Sequence, residues 1–101
     1  MEEFEIVWTA PAIADLEAIV AYLDRQNPSA AERIRNEILE HVEILRLFPF
    51  IGPRYTRDRR GRTREIVCRK YRIFYRVREE SKRVEILTVW HGSRQEPELP
   101  A

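Results

Sequence analysis

Apolar residues recur along this chain with two different periods, and each change of period marks an element. Phe4-Glu5-Ile6-Val7-Trp8 alternates, with Phe4, Ile6 and Trp8 on one face, which predicts a first strand. The period then lengthens. Leu16, Ile19, Val20 and Leu23 stand at i, i+3, i+4 and i+7, with Ala12 and Ile13 one turn earlier, which predicts a helix over about 10–25. Thr9 is a good cap for it, and Pro11 falls in its first turn, where no N–H is needed. At Gln26-Asn27-Pro28 the pattern restarts, with Asn27 as cap and Pro28 as first helical residue. The second stripe is Ala31, Ile34, Ile38, Val42 and Leu45, predicting a helix over about 28–47. Glu32, Glu37, Glu40 and Glu43 lie off that line and make its outer face acidic.

Phe48-Pro49-Phe50-Ile51-Gly52-Pro53 cannot continue a helix. Arg54 to Arg64 then holds six arginines in eleven residues and reads as an exposed loop, with a hairpin around Gly61. Period two returns in three predicted strands: Glu65 to Arg69, Tyr71 to Arg78 and Val84 to His91, with Glu79-Glu80-Ser81-Lys82 as a turn. The tail from Gln95 to Ala101 is acidic, proline-broken and expected to be extended. The order is βααβββ in one domain, 1–101. The fold class is α+β: a helical hairpin packed on one face of a mostly antiparallel sheet. In the central strand Tyr71, Ile73, Tyr75 and Val77 point one way, and Arg72, Phe74, Arg76 and Arg78 the other. With the first set under the helices, the second is expected to form an open cationic face.

Charge sharpens this picture. Residues 1–50 carry four Arg against ten Asp and Glu, a net of −6. Residues 51–101 carry fourteen Lys and Arg against seven Asp and Glu, a net of +7. Sixteen of the eighteen basic residues are arginine, whose planar fork grips phosphate or carboxylate bidentately. The second half is therefore expected to meet a polyanionic or acidic partner. No apolar run approaches the roughly 18 residues of a membrane span, and Met1-Glu2-Glu3 is unlike a basic leader, so a cytoplasmic protein without a membrane role is expected. Cys68 is the single cysteine; it suits a reducing compartment and, alternating with Ile66, reads as a small core residue.

Chemistry is confined to few residues. His41, His91 and Cys68 are too scattered for a metal site, and three isolated glycines make no phosphate loop, so no metal or cofactor is expected. What remains is Arg69, Arg72, Arg76, His91 and Arg94, with Arg57, Arg59 and Arg60 of the loop beside them. Arginines and a near-neutral histidine are the groups that cleave RNA through its own 2′-OH: a base, cations around the pentavalent phosphate, and an acid for the leaving oxygen. The same groups grip a nucleic-acid backbone or an acidic protein with no chemistry at all, and a strand-end histidine such as His91 often serves only a structural hydrogen bond.

The element order, the Ala14-Asp15-Leu16-Glu17 helix, the Phe48-Pro49 to Gly52 break, Tyr71-Arg72-Ile73-Phe74-Tyr75-Arg76-Val77 and Val89-Trp90-His91-Gly92-Ser93-Arg94 together resemble the RelE/ParE family over nearly the whole chain. The resemblance implies a toxin of a type II toxin–antitoxin module, associated with plasmid stabilization in bacteria and held in a hetero-oligomer by a cognate antitoxin. RelE-like members cleave mRNA on the ribosome; ParE-like members poison DNA gyrase. Arg72 falls where RelE-like enzymes keep a phosphate-contacting arginine, which makes Arg72, His91 and Arg94 the catalytic candidates on that branch. Those enzymes carry Tyr, His or Lys near the C-terminus, whereas here only Glu98 follows as a possible base, on a proline-flanked tail. The ending after the Val-Trp strand is more similar to the ParE branch, which predicts gyrase as target and no enzymatic activity of its own. A ribosome-dependent endoribonuclease and a non-toxic binding module on the same fold are the alternatives.

Overall fold

The structure is a computed structural model that describes residues 3–92; Arg94 and the acidic tail, singled out above, lie outside the described residues. Strand β1 (Glu5–Trp8) leads into helices α1 (Ala10–Asp24) and α2 (Pro28–Glu43), followed by a 3-10 turn at Ile44–Arg46 and strands β2 (Thr63–Cys68), β3 (Tyr71–Arg78) and β4 (Arg83–His91). The helices begin where their caps stand. Thr9 Oγ1 accepts from the Ala12 N–H and Asn27 Oδ1 from the Ala30 N–H, and a proline occupies the first turn of each helix. The second helix stops earlier than its stripe predicts, because the chain tightens into the 3-10 turn before Pro49.

The sheet order is β1-β4-β3-β2. The last three strands form a sequential antiparallel meander, and β1 lies parallel to β4 at one edge, since two helices intervene and carry the chain back across the sheet. The predicted α+β hairpin-on-sheet architecture is the observed one. Its core joins Ala12 of α1, Ile38, Val42 and Leu45 to Ile73, Tyr75, Val84, Ile86 and Val89 of the sheet.

Two contacts fix this packing. The first is a bulge in β4. Phe74 pairs with Thr88 but Tyr75 with Ile86, so Leu87 is an extra residue. The period of two breaks there, which lets both Ile86 and Val89 reach the core. Asp15 of α1 clamps the bulge, its Oδ2 accepting from the Thr88 hydroxyl and, at 3.1 Å, from the Val89 N–H. The second is Gly52, whose N–H donates to the Tyr75 hydroxyl at 2.9 Å. A Cβ at Gly52 would stand 2.4 Å from the Glu65 carbonyl oxygen, so only glycine allows this approach.

The arginine-rich segment carries the hairpin expected around Gly61 and is more ordered than an exposed loop. Arg54 bridges Arg64, the Tyr55 N–H donates to the Thr63 carbonyl at 2.8 Å and the Glu65 N–H to the Pro53 carbonyl at 3.0 Å, which extends the sheet beyond β2. The tip is organised by Asp58. Its carboxylate accepts from the N–H groups of Arg60 (3.1 Å), Arg62 (3.1 Å) and Thr63 (2.8 Å), and Gly61 supplies the positive φ of 65°. Hydrogen bonds from Thr63, Arg60 and Arg62 hold the Asp58 carboxyl below the ordinary carboxylate range. The segment is thus a folded hairpin that displays its arginines on an ordered frame.

Candidate functional site

Arg72 and Arg76 emerge on one face of β3, as the period of two predicts, but that face is not open. Phe74 between them is fully buried, because Tyr55 of the hairpin folds over it, ring edge to ring at 4.7 Å. Arg72 lies above both rings, 5.6 Å from Tyr55 and 5.1 Å from Phe74. Its guanidinium is held by Glu65, with Nε donating to Oε2 at 2.8 Å and Nη2 to Oε1 at 3.1 Å, a bidentate pair whose side chains are only 19% and 18% exposed. The expectation of a free cationic face therefore fails at its centre. The hairpin arithmetic contains the reason: Cys68 pairs with Tyr71, so Glu65 and Arg72 fall on one face at diagonal positions.

His91 belongs to the other face. It pairs with Tyr71, and the two rings meet edge to face at 5.4 Å on the helix side of the sheet. Both line a groove of about 870 Å³ that runs between the helical hairpin and the start of β3, together with Tyr22, Ile34 and Arg69. Arg69, predicted at a strand end, sits instead in a two-residue turn with φ 55°, and its guanidinium pairs with Glu37 of α2. That pair raises the Arg69 pKa and lowers that of Glu37. Cys68 is buried beside it, and desolvation pushes its thiol up, away from a reactive thiolate. Arg76 lines a separate cavity at the far end of β3, and Arg57, Arg59 and Arg60 are displayed on the hairpin tip.

The structure thus separates the predicted site residues. Arg72 faces the hairpin, His91 the helices, Arg69 is tied to α2, and Arg76 stands apart. Among the described residues no group of three or more His, Cys, Asp or Glu is placed to hold a metal ion, and no helix is long and apolar enough to cross a membrane. Sequence reasoning missed the carboxylate partners Glu65 and Glu37, and a third feature. Ile44, Ile51 and Val67 are 43%, 60% and 56% exposed around an apolar groove of about 470 Å³ that wraps the β2 edge. The signal was the break segment itself, whose Phe48, Phe50 and Ile51 are apolar yet belong to no stripe.

Comparison with known proteins decides the family. Residues 6–96 match the family described as the ParE toxin of the parDE type II toxin–antitoxin system. This chain belongs to the ParE toxin family. A Sinorhizobium fredii protein provisionally named as a toxin, Y4kP, is 38% identical over 104 residues, covering 98% of this chain and 99% of its own length. Among solved structures, the chromosomal ParDE toxin–antitoxin system of P. aeruginosa superposes with a TM-score of 0.74 at 23% identity, over 88% of this chain and 96% of that one. The RelBE2 toxin–antitoxin complex of Mycobacterium tuberculosis gives 0.68 at 25% identity, over 88% and 98%. An arginine-substituted RelE toxin of E. coli in the free state shares the fold, with a TM-score of 0.63 at 16% identity over 90% and 85%. The ParE-family toxin described here therefore has the frame common to both branches, and its arginines have to be judged on their own surroundings.

Proposed function

We propose that this toxin arrests growth by binding DNA gyrase rather than by cutting mRNA on the ribosome, and that an acidic cognate antitoxin neutralises it. The observation that carries the reading is the placement of Arg72 and His91. A phosphate undergoing attack needs its cation and its acid or base within hydrogen-bond reach of one another's substrate atoms. Here neighbouring positions on β3 send Arg72 to one face and the His91 partner Tyr71 to the other, and Glu65 already neutralises Arg72. A surface that keeps its arginine in a bidentate pair over two aromatic rings is suited to protein recognition, where buried arginine and aromatic anchors dominate affinity.

The antitoxin reading rests on exposed apolar surface. Ile44, Ile51 and Val67 around the β2 groove, and Tyr22 at 59% exposure by the helix groove, leave apolar side chains bare in two grooves that a partner segment could fill. The acidic character follows from the net +7 of the second half.

The test uses the purified chain in two assays, gyrase supercoiling and mRNA cleavage in the ribosomal A site. Inhibition of supercoiling with accumulation of broken DNA, and intact messages, is the expected result. His91→Gln should leave gyrase inhibition within about twofold, because it acts through packing against Tyr71. On a ribonuclease the same change would lower cleavage by about 10²–10⁴. A-site cleavage with supercoiling untouched would overturn the gyrase assignment.

A further inference from the structure

A third cavity, of about 460 Å³, opens at the end of the sheet where β2 starts and β3 stops, away from both Arg72 and His91. Five arginines converge on it: Arg54 and Arg62 from the hairpin, Arg64 from β2, and Arg76 and Arg78 from β3. Glu80 is its single carboxylate. Arg78 is paired with Glu85 at 2.9 Å. Arg64 is oriented but not neutralised, its Nη1 donating to the carbonyl oxygens of Gly52 at 2.8 Å and Phe50 at 3.3 Å. The Nε of Arg76 is buried and has no hydrogen-bond partner among the described residues. A buried donor without an acceptor is unfavourable, so the described groups around Arg76 leave it incompletely satisfied at the cavity wall. Phe50, 46% exposed with the Arg64 guanidinium 5.2 Å above its ring, forms the aromatic wall.

We propose that this cavity is a nucleic-acid backbone site that takes phosphodiester groups. Arginine forks grip phosphate and carboxylate oxygens alike, and outside the Arg78–Glu85 pair four of them face the one Glu80 carboxylate, which leaves charge in excess. Two observations favour phosphate over an acidic polypeptide. The lining offers little apolar surface beyond Phe50 and Val77, whereas the centres of protein interfaces are depleted of charge and built on apolar anchors. Those anchors lie elsewhere on this chain, around Ile44, Ile51 and Val67. Arg59 and Arg60, exposed just before Gly61 of the lining, add positive charge to the same hairpin. The site depends on neither gyrase nor the ribosome, so its test needs neither.

The experiment is fluorescence anisotropy of the purified chain with short labelled duplex DNA, single-stranded DNA and RNA of one sequence, from about 50 to about 200 mM salt. Binding should weaken steeply with salt. The pair Arg54→Ala with Arg62→Ala should flatten the logarithmic salt slope by about two, one for each phosphate contact removed. Both side chains are exposed, so the melting temperature should hold. Arg35→Ala, exposed on α2 and outside the cavity lining, removes the same kind of charge and should leave the slope unchanged. Arg76→Gln should weaken binding, and Arg62→Lys should retain the slope. The three probes then rank duplex, single strand and RNA as the source of the phosphates. Absence of binding at low salt would overturn the proposal. So would equal slopes for the Arg54/Arg62 and Arg35 variants, or displacement of the nucleic acid by polyglutamate of matched charge at equal affinity.

Discussion

At the scale of single residues, the chain's arginines divide by partner rather than by position. Arg72 and Arg69 are each matched by a carboxylate brought from elsewhere, Glu65 across a two-residue turn and Glu37 from α2. Removing Glu65 would take the bidentate carboxylate from a largely buried Arg72. Glu65→Ala should lower unfolding stability by about 1.5–3 kcal/mol, the range for hydrogen bonds to charged groups. Paired with Arg72→Ala, the double variant should recover part of that loss, with a coupling of about 0.5–3 kcal/mol in a denaturant-unfolding cycle. Strict additivity would mean that the pair is a surface contact only. A second residue-scale prediction concerns Gly52. Gly52→Ala should cost about 1–3 kcal/mol, because the new methyl meets the Glu65 carbonyl and the Tyr75 hydroxyl rather than a flexible side-chain end. Tyr75→Phe, which loses only the hydrogen bond to the Gly52 N–H, should cost about 1 kcal/mol in the same unfolding measurement.

At the scale of elements, the apolar periods locate both helices and all four strands, because each element turns its apolar stripe to the core; β3 also buries Phe74 on its other face, under Tyr55. The caps were equally legible: Thr9 and Asn27 do what their residue types favour. What the periods hide is where two elements meet. The Leu87 bulge shifts the register that a strict alternation assumes, and Asp15, seen in the sequence only as part of a helix motif, turns out to clamp it. The ion pairs of the candidate site are hidden for the same reason, since Glu37 and Arg69 are distant in sequence. The arginine hairpin shows the limit most clearly. Six arginines and Gly61 read as an exposed loop with a hairpin in it, but not as one whose tip Asp58 organises by gathering three backbone N–H groups. The folded carboxyl titrates below its ordinary value of 3.8, so its contribution to hairpin stability is present in full above that value and is lost as pH falls through the lower folded one. In NMR titrations the Arg60, Arg62 and Thr63 amides should shift together, with a midpoint below 3.8. At neutral pH, Asp58→Asn should speed tryptic cleavage between Arg54 and Arg64 while the cleavage of other segments stays slow. A midpoint at or above the ordinary value would remove Asp58 as the organiser.

At the scale of the whole molecule, the two halves of opposite charge are only partly reconciled by folding. Glu37 with Arg69 and Glu5 with Arg83, at 3.7 Å, cross between the halves. The Arg72–Glu65 and Arg78–Glu85 pairs lie within the basic half. Arginines of the hairpin therefore concentrate charge at one end of the sheet, while the apolar groove wraps the β2 edge between that end and α2. This division predicts how an acidic antitoxin should bind. Long-range attraction to the basic half acts on encounter, and added salt should slow association by about tenfold or more. The apolar residues act after contact, so dissociation should change little with salt. Val67→Glu, in the groove, should do the reverse: it places a carboxylate against the apolar anchors and should speed dissociation, where most interface substitutions act. Surface plasmon resonance with the cognate antitoxin separates the two rates. An association rate indifferent to salt would show that the −6 and +7 halves have no part in recognition. A Val67→Glu complex as long-lived as the wild type would place the antitoxin away from the β2 edge, leaving the groove between the helical hairpin and His91 as its seat.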